Sequence, residues 1–212
     1  MSRPSILSSD IEVRSRLSDF GLEKQELIDV ALAAIAARND AVMYLDPCNA
    51  AGTFSYIYGT RALRRLLLSK GWRSDRYGHI EGAIESDLRV KFVFQNTFTA
   101  CGDATPKAIS GKGPAARAQV EDGQFVLFPD SSYNELPIAQ DPKSVLWFFC
   151  VALRGDEPVA ELLCPRAIQD RQFYGYVERI FILKPGDLPP INTDDGDLPE
   201  EPDLDVPVTK KA

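Results

Sequence analysis

Val145 to Leu153 reads VLWFFCVAL, nine successive apolar residues closed by Arg154-Gly155-Asp156-Glu157. Side chains of an extended strand alternate between the two faces of a sheet, so a run that is apolar at every position belongs in the middle of one. It is about half the ~18 to 20 residues a membrane-spanning helix needs, and no longer apolar run exists in the chain. Arg154 to Glu157 has the composition of a hairpin turn, which returns the chain as a second strand through Pro158-Val159-Ala160-Glu161-Leu162-Leu163-Cys164. Tyr174 to Leu183 (YGYVERIFIL) supplies a last strand, and its Glu178 and Arg179 require partners if buried.

The first third of the chain has the period of helices. Ser9 followed by Glu12 fits a capping box and starts a helix that runs to about Ser18. A second helix is expected over Leu22 to Arg38, with Leu27, Ala31 and Ile35 on one stripe. Ala41 to Leu45 (AVMYL) is short, apolar and turn-bounded, which predicts a buried strand before the turn Asp46 to Gly52. A third helix then reaches Gly71, whose missing Cβ allows a left-handed stop. Drawn as a wheel, it gathers Tyr56, Gly59, Ala62, Leu63, Leu66 and Leu67 on a packing side, and Arg61, Arg64 and Arg65 opposite with Phe54, Ile57, Tyr58 and Leu68.

Beyond Trp72 the pattern alternates. Ile80, Gly82 and Ile84, then Leu88, Val90, Phe92 and Phe94, predict a hairpin with Glu85-Ser86-Asp87 as its loop, setting Ile84 opposite Leu88 and Glu81 opposite Lys91. Residues 99 to 122 read as a long loop with a short helix around Pro114 to Val120, Phe125 to Phe128 as a short strand, and Pro129 to Lys143 as a surface loop. The expected architecture is α+β: an N-terminal helical layer, residues 10 to 70, packed on a mostly antiparallel sheet from residues 78 to 183. A single domain over residues 1 to 184 is of a size that buries an adequate core.

Charge is distributed unevenly within the net −7. Residues 61 to 117 hold 11 basic and 5 acidic groups, whereas residues 185 to 212 hold eight acids, six prolines counted from Pro185 and only two lysines. That C-terminal segment lacks the apolar mass to offset its ordering entropy, so a disordered acidic tail is expected. An N-terminus with early acids and no apolar core gives no support for a secretory signal, and a cytoplasmic location is the default. Cys48, Cys101, Cys150 and Cys164 have no zinc-finger spacing and read as buried reduced thiols, and His79 is the one histidine. No metal site, cofactor or membrane contact is expected, and no catalytic residue can be named.

Several motifs are candidates for chemistry. Asp46-Pro47-Cys48-Asn49-Ala50-Ala51-Gly52-Thr53, placed between an expected strand and a helix, resembles the DPxxGxGT turn of amino-methyltransferases that act on nucleic acid and bind S-adenosylmethionine. It keeps Asp46, Pro47, Gly52 and Thr53 and departs at Ala50, where a Cβ obstructs close backbone approach. Glu161 with Asp130 suggests the metal-holding carboxylates of restriction-type nucleases, although Leu163 stands where the lysine belongs; a structural pairing of Glu161 with Arg166 or Arg179 is the competing reading. His79 and Glu81 would face alike on a strand. Ser110-Gly111-Lys112-Gly113 lacks the residues of a phosphate loop and reads as a mobile basic loop.

The cluster that stands out is Arg61, Arg64, Arg65, Lys70, Arg73 and Arg76, with Lys107 and Lys112 beyond it and Tyr58, Trp72 and Tyr77 available for stacking. Such a set fits phosphate contact with nucleic acid, or an acidic protein surface. The leading expectation is therefore a non-catalytic binding or accessory protein, with an enzyme acting on nucleic acid or a protein–protein module as alternatives. The acidic tail could fold back over the basic face as a tethered competitor.

Overall fold

The computed structural model describes residues 4–127 and 144–188. Among these residues the elements are β1 (Ser5–Leu7), α1 (Asp10–Ser18), α2 (Lys24–Asn39), α3 (Ala50–Ser69), β2 (Arg73–Asp75), β3 (Gly82–Glu85), β4 (Val90–Asn96), α4 (Pro114–Leu127), β5 (Val145–Arg154), β6 (Glu157–Gln169) and β7 (Gln172–Leu183). The strands form one sheet in the order β1-β7-β6-β5-β4-β3-β2. Pairs β1/β7 and β4/β5 are parallel and the other four are antiparallel. The helical layer on a mostly antiparallel sheet is as expected from the sequence.

β5 is the middle strand, and its alternation explains its composition. Val145, Trp147, Phe149 and Val151 enter the core shared with α1, α2 and α3, while Leu146, Phe148 and Cys150 enter a second core with Ala116 and Val120 of α4. Helices thus cover both faces, and a strand covered twice has no polar side to show. On the first face Phe20, Trp72, Phe92 and Trp147 form an aromatic cluster, with the Phe20, Trp72 and Trp147 rings 4.9 to 6.1 Å from that of Phe92. Such edge-to-face pairs contribute about 0.5 to 1.5 kcal/mol beyond the area they bury.

Local chemistry sets the helix ends. The Ser9 hydroxyl accepts from the Glu12 amide, as the capping box requires. At the end of α3, Trp72 N donates to Leu67 O at 3.1 Å and Gly71 N to Leu68 O at 3.1 Å, with Gly71 at φ +92°. This is a Schellman motif, and its accompanying contact is between buried Leu67 and Trp72. α3 seats against β4 through Gly59, where a Cβ would lie 2.3 Å from the Phe94 ring.

Four expectations are corrected. Ala41–Leu45 is not a strand: Val42, Met43, Tyr44 and Leu45 project outward in a turn, with Tyr44 94% exposed, because the Asp46 carboxylate accepts from the Val42 amide and closes the chain on itself. Phe125 to Leu127 continues α4 and is helical. The β3/β4 hairpin pairs Ile84 with Lys91 and Glu85 with Val90, so the loop is Ser86–Arg89, and Leu88 is exposed. The shift of register reverses the faces of β3, so that Ala83, opposite Phe92, joins the helical core and Ile84, opposite Lys91, lies on the other face. His79 lies in a single 3-10 turn, Tyr77–His79, ahead of β3, and so does not share a strand face with Glu81. Phe128, Asp130 and the loop expected up to Lys143 lie outside the described residues, as does the tail beyond Leu188.

Candidate functional site

α3 has a clear division of labour. Ser55, Gly59, Leu63 and Leu67 face the sheet and are buried, whereas Tyr56, Ile57, Tyr58 and Leu68 are each more than two-fifths exposed. The outward placement of Ile57, Tyr58, Arg61, Arg65 and Leu68 matches the helical wheel; Tyr56 does not, since it faces outward rather than into the packing side. Arg61 stacks its guanidinium 4.7 Å from the Tyr58 ring centroid, one helical turn away. Ile57, Thr60, Arg61, Arg64, Arg65 and Leu68 line a shallow depression of about 520 Å³. Thr60 is buried, and its hydroxyl has no hydrogen-bond partner among the described residues.

The basic cluster divides into two groups. Arg64 is turned inward: Nε donates to Gly82 O at 3.0 Å, Nη2 to Asp75 O at 3.1 Å, and Nη2 lies 2.6 Å from the Glu81 carboxylate. Arg76 shares Glu81 at 3.3 Å, Lys70 pairs with Glu26 at 2.6 Å, and Arg73 donates to the Ser86 hydroxyl at 2.6 Å. These four are engaged within the fold. Arg61 and Arg65 have no carboxylate partner among the described residues. Of the aromatic residues expected to stack, Tyr58 and Tyr77 are open, but Trp72 is 4% exposed and its ring belongs to the core, drawn there by the Schellman contact.

Lys107 is exposed in the loop before α4, but Lys112 is not a free loop cation. Its ammonium group donates to Gln95 Oε1 and stands 5.1 and 5.6 Å from the Phe148 and Phe173 ring centroids. Burial among these rings lowers its pKa to about 8. Lys91, also interior, is held by Asp75 at 2.5 Å, and burial lowers its pKa against that partner's pull.

The other motifs are placed as follows. The turn at Asp46 has no strand before it, Thr53 donates its hydroxyl to Asn49 O, and Gly52 O is taken by the Asn96 side chain, so the strand–turn–helix setting of the methyltransferase resemblance is missing. Glu161 is fully buried and bound at both oxygens by Arg179, with a further hydrogen bond from the Cys101 amide. The partner anticipated for Glu161 is therefore Arg179, deep in the sheet rather than at its edge. Among the described residues no cluster of three or more His, Cys, Asp or Glu could hold a metal ion, and no helix is long and apolar enough to cross a membrane. Cys150 and Cys164 are buried, with burial pushing Cys164 up to about 12, while Cys48 is exposed rather than buried as expected.

The turn at Val42–Leu45 escaped sequence reasoning as a surface feature. Its signal was present in the neighbouring Asp46-Pro47 and Asn49, which favour a turn over continued pairing. Comparison with protein-family models, curated proteins and solved structures finds no match for this chain.

Proposed function

We propose that this chain is a non-catalytic, cytoplasmic binding module whose outer α3 face receives an acidic, partly apolar segment of another protein. The observation that carries the reading is the pair Arg61 and Arg65, lacking carboxylate partners among the described residues and set among exposed Ile57, Tyr58 and Leu68. Arginine with aromatic and aliphatic side chains is the composition of protein-interface anchors, and a guanidinium already stacked on Tyr58 loses little freedom on binding a carboxylate. A nucleic-acid backbone is less well served. Four of the six helical and flanking cations are engaged in holding the fold, and two phosphate contacts give a salt slope of only about −1.8. The apolar side chains between the arginines would also gain nothing from phosphate.

The test is a titration of the full chain, its acids from Asp194 to Asp205 changed to Asn or Gln so that only the probes supply carboxylates, with three labelled probes at two salt concentrations: a synthetic peptide alternating Asp and Leu, a peptide alternating Asn and Leu, and a single-stranded oligonucleotide. The Asp/Leu peptide is expected to bind best and to weaken about tenfold or more in the Arg61→Ala/Arg65→Ala chain, the size of effect found when charged anchors are removed. Equal binding of that peptide to both chains, or tight oligonucleotide binding with a slope of several units, would overturn the reading.

A further inference from the structure

We infer that the docking face on α3 has an occupant within the same chain, the segment Asp194 to Val206. This rests on the reading of that face as a site for acidic, partly apolar segments, and it names the regulation of the site.

The sequence from Asp194 is DDGDLPEEPDLDV, in which Asp197, Glu200, Glu201, Asp203 and Asp205 alternate with Leu198, Leu204 and Val206. The docking face presents the complement: Arg61 and Arg65 for the carboxylates, and Ile57, Tyr58 and Leu68 for the leucines. Two cations near the tail's origin, among the described residues, are already engaged. Arg14 pairs with Asp10 at 2.8 Å, and Lys24 lies 3.2 Å from Asp10 and 3.9 Å from Asp187.

The chain's exit makes the contact reachable. Lys184 Nζ donates to Ser8 O, and Leu188 packs on the core beneath the N-terminal helices, so the segment departs on the side of the sheet that carries α3. α3 packs on α2, at a helix spacing of about 10 Å. Fifteen residues, from Leu188 to Asp203, span up to about 50 Å when extended. A tether of this length holds the acidic segment at an effective concentration near the millimolar range, enough to compete with a partner in solution.

The experiment uses the full chain in three forms: unaltered; with the tail acids from Asp194 to Asp205 changed to Asn or Gln; and with Leu198→Ser, Leu204→Ser and Val206→Ser, which retain every charge. Amide NMR shifts at Tyr58, Arg61 and Arg65 report occupancy directly, and the Asp/Leu peptide reports competition. We expect the α3 shifts to differ between the unaltered chain and both variants, and peptide affinity to rise about tenfold when the acids are neutralised. Identical α3 shifts in all three chains overturn the inference, whatever the peptide does. Shifts that move with the acids but not with the serine changes also overturn it, because they show diffuse charge attraction in place of docking. If the shifts move as expected and the peptide binds none of the chains, the internal contact stands and the proposed external partner falls.

Discussion

Glu161 and Arg179 meet through two parallel hydrogen bonds, Nε to Oε1 and Nη2 to Oε2, each 2.8 Å, with both side chains fully buried between β6 and β7. Burial pushes the Glu161 carboxyl upward in pKa, and the guanidinium beside it pulls the other way. The pair also anchors the segment after β4, since Glu161 accepts from the Cys101 amide and Arg179 reaches Asp103 O at 3.5 Å. Two charges in such a place are stable together and costly apart.

Arg179→Met is therefore expected to destabilise the protein by about 3 to 5 kcal/mol, because it strands a buried carboxylate. Replacing both residues, Glu161→Met with Arg179→Met, should recover most of that loss. Urea unfolding of the two single variants and the double variant measures the coupling. Losses that simply add would show that the two residues act independently.

Arg64, Arg61 and Arg65 occupy one helix and look alike in sequence, but they differ in what they touch. Removing Arg64 takes the side-chain donor from the carbonyls of Gly82 and Asp75 and leaves Glu81 with Arg76 alone, which should cost about 1 to 3 kcal/mol. Arg61→Ala and Arg65→Ala should change stability by less than about 0.5 kcal/mol while weakening ligand binding. Thermal unfolding distinguishes them, and a similar loss of stability in all three would mean that the outer arginines are structural too.

Lys112 gives the protein a pH dependence of definite sign. Its folded pKa of about 8 lies below the ordinary lysine value of 10.5, so between these limits the unfolded chain holds a proton that the folded chain has released. Raising the pH through this window therefore favours the folded state. Buried Cys164, with its pKa pushed up to about 12, acts in the opposite sense above pH 9, but it is common to wild type and variant and cancels in their difference. The stability of wild type minus that of Lys112→Met should rise from pH 8 to pH 10.5. A flat difference would show that Lys112 titrates as an exposed lysine does.

The sequence by itself determined the central strand, the hairpin at Arg154 to Glu157, the helical layer and, Tyr56 and Arg64 apart, the outward face of α3. Each rests on local periodicity or on a capping or turn residue, and such signals do not depend on what lies across the core. Val145 to Leu153, apolar at every position and closed by turn residues, reads as a strand covered on both sides, and Ser9 with Glu12 reads as a helix start.

Tertiary structure decided the rest. The β3/β4 register sets Ala83 rather than Ile84 beside Phe92 on the helical core, a pairing that no local turn rule contains. Trp72 went to the core because Gly71 turned the chain back over Leu67, although its sequence neighbours are arginine and glycine. The basic cluster was divided by contacts between residues distant in sequence: Arg64 was claimed by Glu81 and two carbonyls, Lys70 by Glu26, and Lys112 by Gln95 and two aromatic rings. A one-dimensional pattern shows which charges share a helix face. Which of them are already neutralised depends on the acids that folding brings within hydrogen-bond reach, and that left Arg61 and Arg65 facing outward.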